Sequence, residues 1–192
     1  MQKRHLRSPM RRLLTLILLV SIANPGFADQ NHPALDPLFA ALKDSDDLIE
    51  MAEIQNKIWV HWYTLPPEAT ELQSIFDLGM SALQFAQPDM AITHFTRVIE
   101  AAPEFAEAWN RRATTYYMIG NLDASLQDIQ ATLALEPRHF GALSGLSMIF
   151  ESTGDLERAI RAETLLLELM PNNPMVQSRL EGLKARLDTG GI

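Results

Sequence analysis

The chain of 192 residues contains no cysteine, which excludes disulfide bonds and metal sites built on thiolates. Histidine is scarce, and no two of the five histidines stand at metal-ligand spacing on one helix. A long apolar run is also missing: residues 13–23 form an apolar run of 11 residues, and about 20 are needed to cross a bilayer as a helix. We therefore expect no metal, no cofactor and no stable membrane insertion of the mature chain.

A catalytic motif is equally absent from the sequence. The segment 141–145, Gly-Ala-Leu-Ser-Gly, is superficially similar to a nucleophile elbow, but its serine stands in the fourth place and no strand precedes it. The carboxylates fall at helix ends or on exposed faces, where they are normally solvated. We predict that the protein is not an enzyme.

The first 28 residues have the order of a secretory signal peptide. Five basic residues precede the apolar run at 13–23, and Gly26 and Ala28 supply the small residues that a signal peptidase needs. We predict cleavage after Ala28 and export to the periplasm. The pair Arg11-Arg12 raises a twin-arginine route, but the flanking residues typical of such signals are missing, which favours the general secretory route.

Basic charge is sparse beyond that segment. Residues 29–192 keep 11 of the 16 basic residues and all 24 acidic ones, which gives a formal net charge of −13. Nucleic acid binding needs a basic surface that displaces counterions from phosphate, and the only basic run is Arg111-Arg112. We therefore expect no nucleic acid partner.

What the chain does contain is a proline that returns every 34 residues, at Pro103, Pro137 and Pro171. Upstream of each proline, large apolar residues recur three and four apart, which is the spacing of one buried helical face. Gly120 and Gly154 fall where the first helix of a pair should stop, because glycine adopts the left-handed conformation that ends helices. The period predicts stacked helix pairs.

This pattern resembles the tetratricopeptide repeat family, in particular small exported bacterial members. Trp109, Tyr116, the Gly-Asn turn at 120–121 and the closing Pro137 carry the resemblance most clearly. It implies an all-α, right-handed superhelical solenoid with repeats at 72–105, 106–139 and 140–173 and a capping helix at 174–188, which together form a domain at 70–188. The chain departs from the family pattern at Arg112 and Glu163, where apolar side chains are usual, and at residues 86–88, Ala-Gln-Pro, where Gly-Asp is usual.

Residues 29–69 do not fit the repeat but are expected to form an N-terminal helical segment. Asp36 with Pro37, and Ser45 with the acidic residues after it, indicate two helix starts. The second helix is amphipathic, with Ile54, Ile58 and Trp62 on one face. The segment is either a cap that packs on the first repeat or an arm that binds a partner.

In this family the first helix of each pair faces a concave groove, so the repeat register assigns residues to that surface. The inward-facing positions and the basic residues at the junction of the second and third repeats are Phe76, Met80, Leu83, Asn110, Thr114, Tyr117, Arg138, His139, Ser144 and Met148. Arg111, Arg112 and Arg138 either pair with nearby carboxylates or anchor an acidic ligand group. The Lys and Asn clamp that related repeats use for the acidic C-termini of chaperones is absent, since Phe76, Met80, Arg111, Gly141 and Gly145 occupy its places.

These features predict an adaptor or scaffold of the cell envelope that binds a segment of another protein in its groove. Two alternatives stay open. The protein is a structural subunit that joins a larger complex through the helix bearing Trp59 and Trp62, or it is an accessory factor that modulates a cell-wall enzyme.

Overall fold

The computed structural model describes residues 32–190, and within this range the regular secondary structure is helical. The helices are α1 (Leu35–Asp44), α2 (Leu48–Tyr63), a short 3₁₀ helix (Pro67–Ala69), α3 (Thr70–Gln84), α4 (Pro88–Ala101), α5 (Ala106–Met118), α6 (Leu122–Leu135), α7 (Phe140–Ser152), α8 (Leu156–Leu169) and α9 (Pro174–Asp188). The signal peptide predicted at residues 1–28 lies outside the described residues. None of the helices between residues 32 and 190 combines the length and hydropathy of a membrane-spanning helix.

Three helix pairs, α3–α4, α5–α6 and α7–α8, stack in chain order, and α9 packs on the last of them. The first helices of the pairs also touch one another, α3 against α5 and α5 against α7. We call the surface that these three helices share the inner face. The predicted all-α solenoid of three helix pairs is confirmed.

Glycine ends the first helix in two of the three pairs. Gly120 and Gly154 have φ angles of 78° and 79°, a region that costs side-chain-bearing residues about 1 kcal/mol or more. The side chains of Asn121 and Asp155 then accept hydrogen bonds from the amides of Ala124 and Arg158 and so cap the second helices. In the first pair Ala86 takes the left-handed position, with φ 52°, which is a local cost of the departure seen in the sequence.

The two unusual polar positions are built into ion pairs. Arg112 donates from Nε and Nη2 to the carboxylate of Asp128, at 2.7 and 2.8 Å, and from Nη1 to Thr96, at 2.9 Å. One side chain therefore links α5 to α6 and α4, where the family packs an apolar residue. Glu163, 1% exposed, lies 3.4 Å from Nε of Arg179 and links α8 to α9.

The N-terminal hairpin, α1 and α2, packs against the third helix pair, so a cap on the first repeat is not what the structure shows. Its buried apolar side chains form one core with α7, α8 and the start of α9, comprising Leu35, Phe39, Leu42, Met51, Ile54, Ile58, Trp62, Phe140, Leu143, Leu166, Met170 and Val176. Asn172 donates to the carbonyl of Ser45 at 3.1 Å across the same interface. The hairpin is therefore an integral part of the folded domain.

The predicted starts of both hairpin helices are shifted. Helix α1 begins at Leu35, before Asp36, and has no side-chain cap. Helix α2 is capped by Asp47, whose Oδ1 accepts from the amides of Ile49 and Glu50 at 2.8 and 2.9 Å, whereas Ser45 ends α1. Asp and Ser are about equally good caps, and here Ser45 is already used at the end of α1, so α2 starts at a later cap residue, Asp47.

Candidate protein-binding groove

The inner face contains a pocket of about 220 Å³ between α5, α6 and α7. We call it the groove pocket, and it is lined by Asn110, Ala113, Thr114, Tyr117, Ser125, Ile129, Gly141, Ser144, Gly145 and Met148. Helix α7 contributes the small residues Gly141, Ser144 and Gly145, and the larger side chains in the lining are Tyr117, Ile129 and Met148. The pocket is mostly apolar and opens to solvent beside Thr114 and Met148, which are exposed.

Five of the residues predicted from the repeat register line this pocket. They come from two helices and are Asn110, Thr114, Tyr117, Ser144 and Met148. Leu83 lies apart, in a smaller hollow of about 150 Å³ beside Met118 and Ile119, at the turn side of the first two pairs. Met80 is half-buried against the core of the first helix pair.

Three predicted groove residues are buried: Asn110, 4% exposed, still lines the groove pocket, whereas the assignment of Phe76 and His139 to the groove surface is wrong. Phe76 is 1% exposed and its ring lies 6.2 Å from that of Tyr63. His139 is fully buried, with its ring stacked 4.2 Å from that of Trp62. The end of α2, which crosses the inner face at the start of α5 and α7, covers His139. Phe76 is enclosed mainly by Phe105 and by Phe95 of α4, whose ring centres lie 5.1 and 5.6 Å away.

Arg138 also belongs to the hairpin interface. Its Nη1 lies 2.7 Å from the carboxylate of Asp36 in α1, and its Nε lies 3.0 Å from that of Glu136. The guanidinium carbon sits 4.3 Å from the ring centre of Phe39. Of the two roles that the sequence left open for Arg138, the structure shows the ion pair.

Glu107 is the centre of a polar cluster beneath α2. Its side chain is inaccessible, and its carboxylate accepts from Asn110 Nδ2 at 3.1 Å and from Arg111 Nε. His139 Nδ1 accepts from the amide of Ala142, so Nε2 carries the hydrogen and donates to Glu107 at 2.8 Å. We call Glu107, Asn110, Arg111 and His139 the buried polar cluster.

Aromatic rings of α2 close this cluster. The guanidinium of Arg111 lies 5.2 Å from the ring centre of Trp59 and 4.9 Å from that of Tyr63, and it donates to the Tyr63 hydroxyl. Cations are attracted to the faces of such rings. Sequence reasoning gave Trp59, as one alternative, a role in joining a larger complex and missed Tyr63 and Glu107, although the spacing of four between Trp59 and Tyr63 places both rings on one face of the helix.

Burial sets the protonation states of the cluster. It lowers the pKa of His139 to about 3, helped by the charge of Arg111, so this imidazole is neutral at neutral pH. Burial also lowers the pKa of Arg111 to about 10, which leaves it charged. The pKa of Glu107 is raised by burial, and the hydrogen bond from Asn110 opposes that rise. The cation of Arg111 is thus directed at Glu107 and not at the groove.

Between residues 32 and 190, no three histidine, aspartate or glutamate side chains come together as a metal site would require. The groove pocket contains hydroxyl, amide and apolar groups, which suit recognition of a ligand.

The tetratricopeptide repeat profile matches residues 76–130 and 112–174, just over half of the chain. The chain belongs to the tetratricopeptide repeat family. A TPR repeat-containing protein of Rhizobium etli is 31% identical over 153 residues, which are 80% of this chain and 74% of that protein. The bacteriophage adsorption protein A of Escherichia coli is 30% identical over 102 residues, which are 53% of this chain but 10% of that much longer protein.

Solved tetratricopeptide repeat domains share the fold. The first such domain of RPAP3, bound to an HSP90 peptide, superposes with a TM-score of 0.58 at 22% identity, over 62% of this chain and 98% of that one. MamA gives a TM-score of 0.57 at 19% identity, over 62% of this chain and 69% of MamA. The tetratricopeptide repeat fold supports binding of proteins or peptides.

Proposed function

We propose that the protein is an exported adaptor of the bacterial cell envelope, which holds a segment of another protein against the open part of its inner face. The observation that carries this proposal is the groove pocket. The pocket is open beside exposed residues of α5 and α7, whereas α2 covers the start of these two helices.

Export rests on the first 28 residues. Their basic start, apolar run and small residues before position 29 have the order of a signal peptide, and the net charge of −13 that follows favours solubility. Mass spectrometry of the protein purified from its natural host tests this directly. We expect a mature N-terminus at Asp29, and a full-length cytoplasmic protein would contradict export.

The partner segment is expected to bind through apolar groups. The RPAP3 domain binds the HSP90 peptide SRMEEVD, which is acidic. In this chain Arg111 is engaged by Glu107 and Arg138 by Glu136 and Asp36, so neither presents a free cation to a ligand carboxylate. The groove pocket itself is mostly apolar.

The structure gives less support to a subunit joined through the N-terminal helix. Trp62 is 2% exposed and Trp59 is half-buried, so the rings that would form such a joint already pack inside the domain. An accessory role toward a cell-wall enzyme is one form of the adaptor function, and identification of the partner decides it.

Site-specific photocrosslinking in living cells tests the adaptor function. A benzophenone amino acid would replace Tyr117 or Met148 in the groove pocket and, as a control, Met175, which is 73% exposed on α9. We expect one discrete crosslinked partner from both groove positions and none from Met175. The same products from all three positions, or no product from the groove, would contradict the proposal.

A further inference from the structure

The chain itself shows how the inner face of α7 accepts an aromatic ring. Gly141, in the first turn of α7, lies under the ring of Trp59: a Cβ atom at this position would meet Cη2 of Trp59 at 2.8 Å. The ring of Trp59 also packs edge-on against Phe140, at 4.9 Å between centroids. The missing side chain of Gly141 is therefore what allows the tryptophan of α2 to lie against the α7 backbone.

Gly145 repeats this arrangement one turn further along α7. Residues four apart lie on the same helix face, so Gly145 follows Gly141 along the inner face. A Cβ atom there would meet only Ile129, at 3.2 Å from its Cδ1, and the space above is the groove pocket. Tyr117 and Met148 flank that space where Trp62 and Phe140 flank the site of Trp59.

We propose that the groove pocket over Gly145 is the anchor site for one aromatic side chain of the partner, next to the position that Trp59 occupies from within the chain. This inference rests on the proposed adaptor function and names its chemistry. The partner segment thereby extends the interface that α2 makes with α7.

The size of the pocket suits one aromatic ring. A cavity of about 150 Å³ in another protein binds benzene, and the groove pocket measures about 220 Å³. Met148 is an adaptable neighbour, because its thioether packs favourably against aromatic rings. Aromatic anchors in such pockets dominate the energy of many protein interfaces.

Three polar side chains of the wall already donate hydrogen bonds within the chain, and none of the lining residues carries a charge. Asn110 Nδ2 donates to Glu107, the Thr114 hydroxyl donates to the carbonyl of Asn110 at 2.9 Å, and the Ser125 hydroxyl donates to the carbonyl of Ala113 at 2.8 Å. A ligand carboxylate would lose its hydration without gaining a cation, whereas a ring loses little. The wall therefore selects an apolar guest.

A small-molecule probe tests the pocket directly. N-acetyltryptophanamide would be titrated into the full protein while NMR records the methyl signals of Ile129 and Met148, with N-acetylleucinamide and N-acetylaspartamide as comparisons. We expect saturable shifts with the tryptophan probe, weaker ones with leucine and none with aspartate. Equal response to all three probes, or a stronger response to leucine, would overturn the aromatic assignment.

Two glycine substitutions supply the matched variants. Gly145→Leu fills the pocket, whereas Gly182→Leu places the same side chain on α9, where nothing lies within 4 Å. We expect Gly145→Leu to weaken probe binding by about tenfold or more and Gly182→Leu to leave it unchanged. If Gly145→Leu does not fold, Met148→Ala removes one wall at an exposed position, and undiminished binding by that variant would overturn the proposal.

The same variants separate this inference from the proposed function. If a partner crosslinks at Tyr117 equally well in wild type and folded Gly145→Leu, the anchor is wrong and the adaptor function stands. If the probe binds in a manner that depends on Gly145 but no partner crosslinks, the adaptor function is wrong and the pocket stands. If sedimentation shows that the wild type is a dimer and that Gly145→Leu is a monomer, a second copy of the chain fills the pocket. That result would overturn the proposal that another protein supplies the aromatic side chain.

Discussion

Two parts of the same inner face differ in what covers them. At the start of α5 and α7, the rings of α2 lie against Arg111, His139 and Gly141; Glu107 and His139 are buried there, and Arg111 and Gly141 are half-buried. One turn further along α5 and about two turns further along α7, Thr114 and Met148 are exposed and the groove pocket is open. The repeat register assigns both parts to the groove, yet only the second is available to a partner.

The difference shows that the hairpin decides which part of the inner face can function. In the covered part, a buried ion pair and a neutral histidine are stabilised by aromatic rings and serve the fold. In the open part, the Thr114 and Ser125 hydroxyls and the Asn110 amide already donate hydrogen bonds within the chain, and apolar area remains for binding. Substitutions in the covered part should therefore lower stability more than substitutions in the open part.

The largest effect is expected from Trp62→Ala in the covered part. Trp62 is 2% exposed and packs against Phe39, His139 and Phe140, and loss of such a side chain costs about 3 to 5 kcal/mol. Val60→Ala on the same helix is the control, since Val60 is 61% exposed. Urea unfolding followed by circular dichroism measures both. Equal small effects of the two variants would mean that the hairpin is not part of the domain core.

Glu107→Gln should rank second. It removes the carboxylate that faces the guanidinium of Arg111, and breaking a buried pair costs about 3 kcal/mol, the lower end of the usual range, because the Arg111 side chain is 18% exposed. Glu157→Gln is the matched control, because its pair with Arg161 is exposed and worth about 0.5 kcal/mol or less. If the two variants unfold at the same urea concentration, the buried pair contributes no stability.

The repeats, the helix boundaries at Gly120 and Gly154 and half of the groove residues could be predicted because they depend on local spacing. The place of the hairpin could not, since it is a contact between residues more than a hundred positions apart, such as Ser45 and Asn172. The burial of His139 follows from the packing of the hairpin and was missed with it, whereas Phe76 is buried by Phe95 and Phe105 in the core of the first helix pair. One local signal was available: Gly141 stands where the repeat usually carries a side chain, and a missing side chain indicates close approach.

Acid should reduce the advantage of wild type over His139→Gln. Above pH 6.5 the histidine is neutral in both the folded and the unfolded state, so its contribution to stability is complete. As the pH falls below 6.5 the unfolded chain binds a proton that the folded chain refuses until about pH 3, so that stability is lost. The loss amounts to about 2 kcal/mol at most between pH 6.5 and 5.

The glutamine variant lacks this titration, and Glu107, which has a raised pKa, is present in both proteins. The difference in unfolding free energy between the two should therefore shrink as the pH is lowered from 7 to 5. Urea unfolding at several pH values measures it. A difference that is constant with pH would mean that the folded protein protonates His139 at the same pH as the unfolded chain, and would contradict the lowered pKa.

The smallest effect compares the two glycines of α7 directly. In Gly141→Ala the new methyl group would collide with the ring of Trp59 at 2.8 Å, so the hairpin must shift, at a cost of about 1 to 2 kcal/mol. In Gly145→Ala the neighbour is the flexible end of Ile129, at 3.2 Å, and the gain in helix propensity, up to about 1 kcal/mol, offsets the contact. We expect melting temperatures that fall for Gly141→Ala and stay within about 3 °C of wild type for Gly145→Ala. The same substitution is made one helical turn apart, so the two melting temperatures show whether an aromatic ring of the chain lies over Gly141 but not over Gly145. Equal losses of stability would mean that Gly145 is as tightly covered as Gly141.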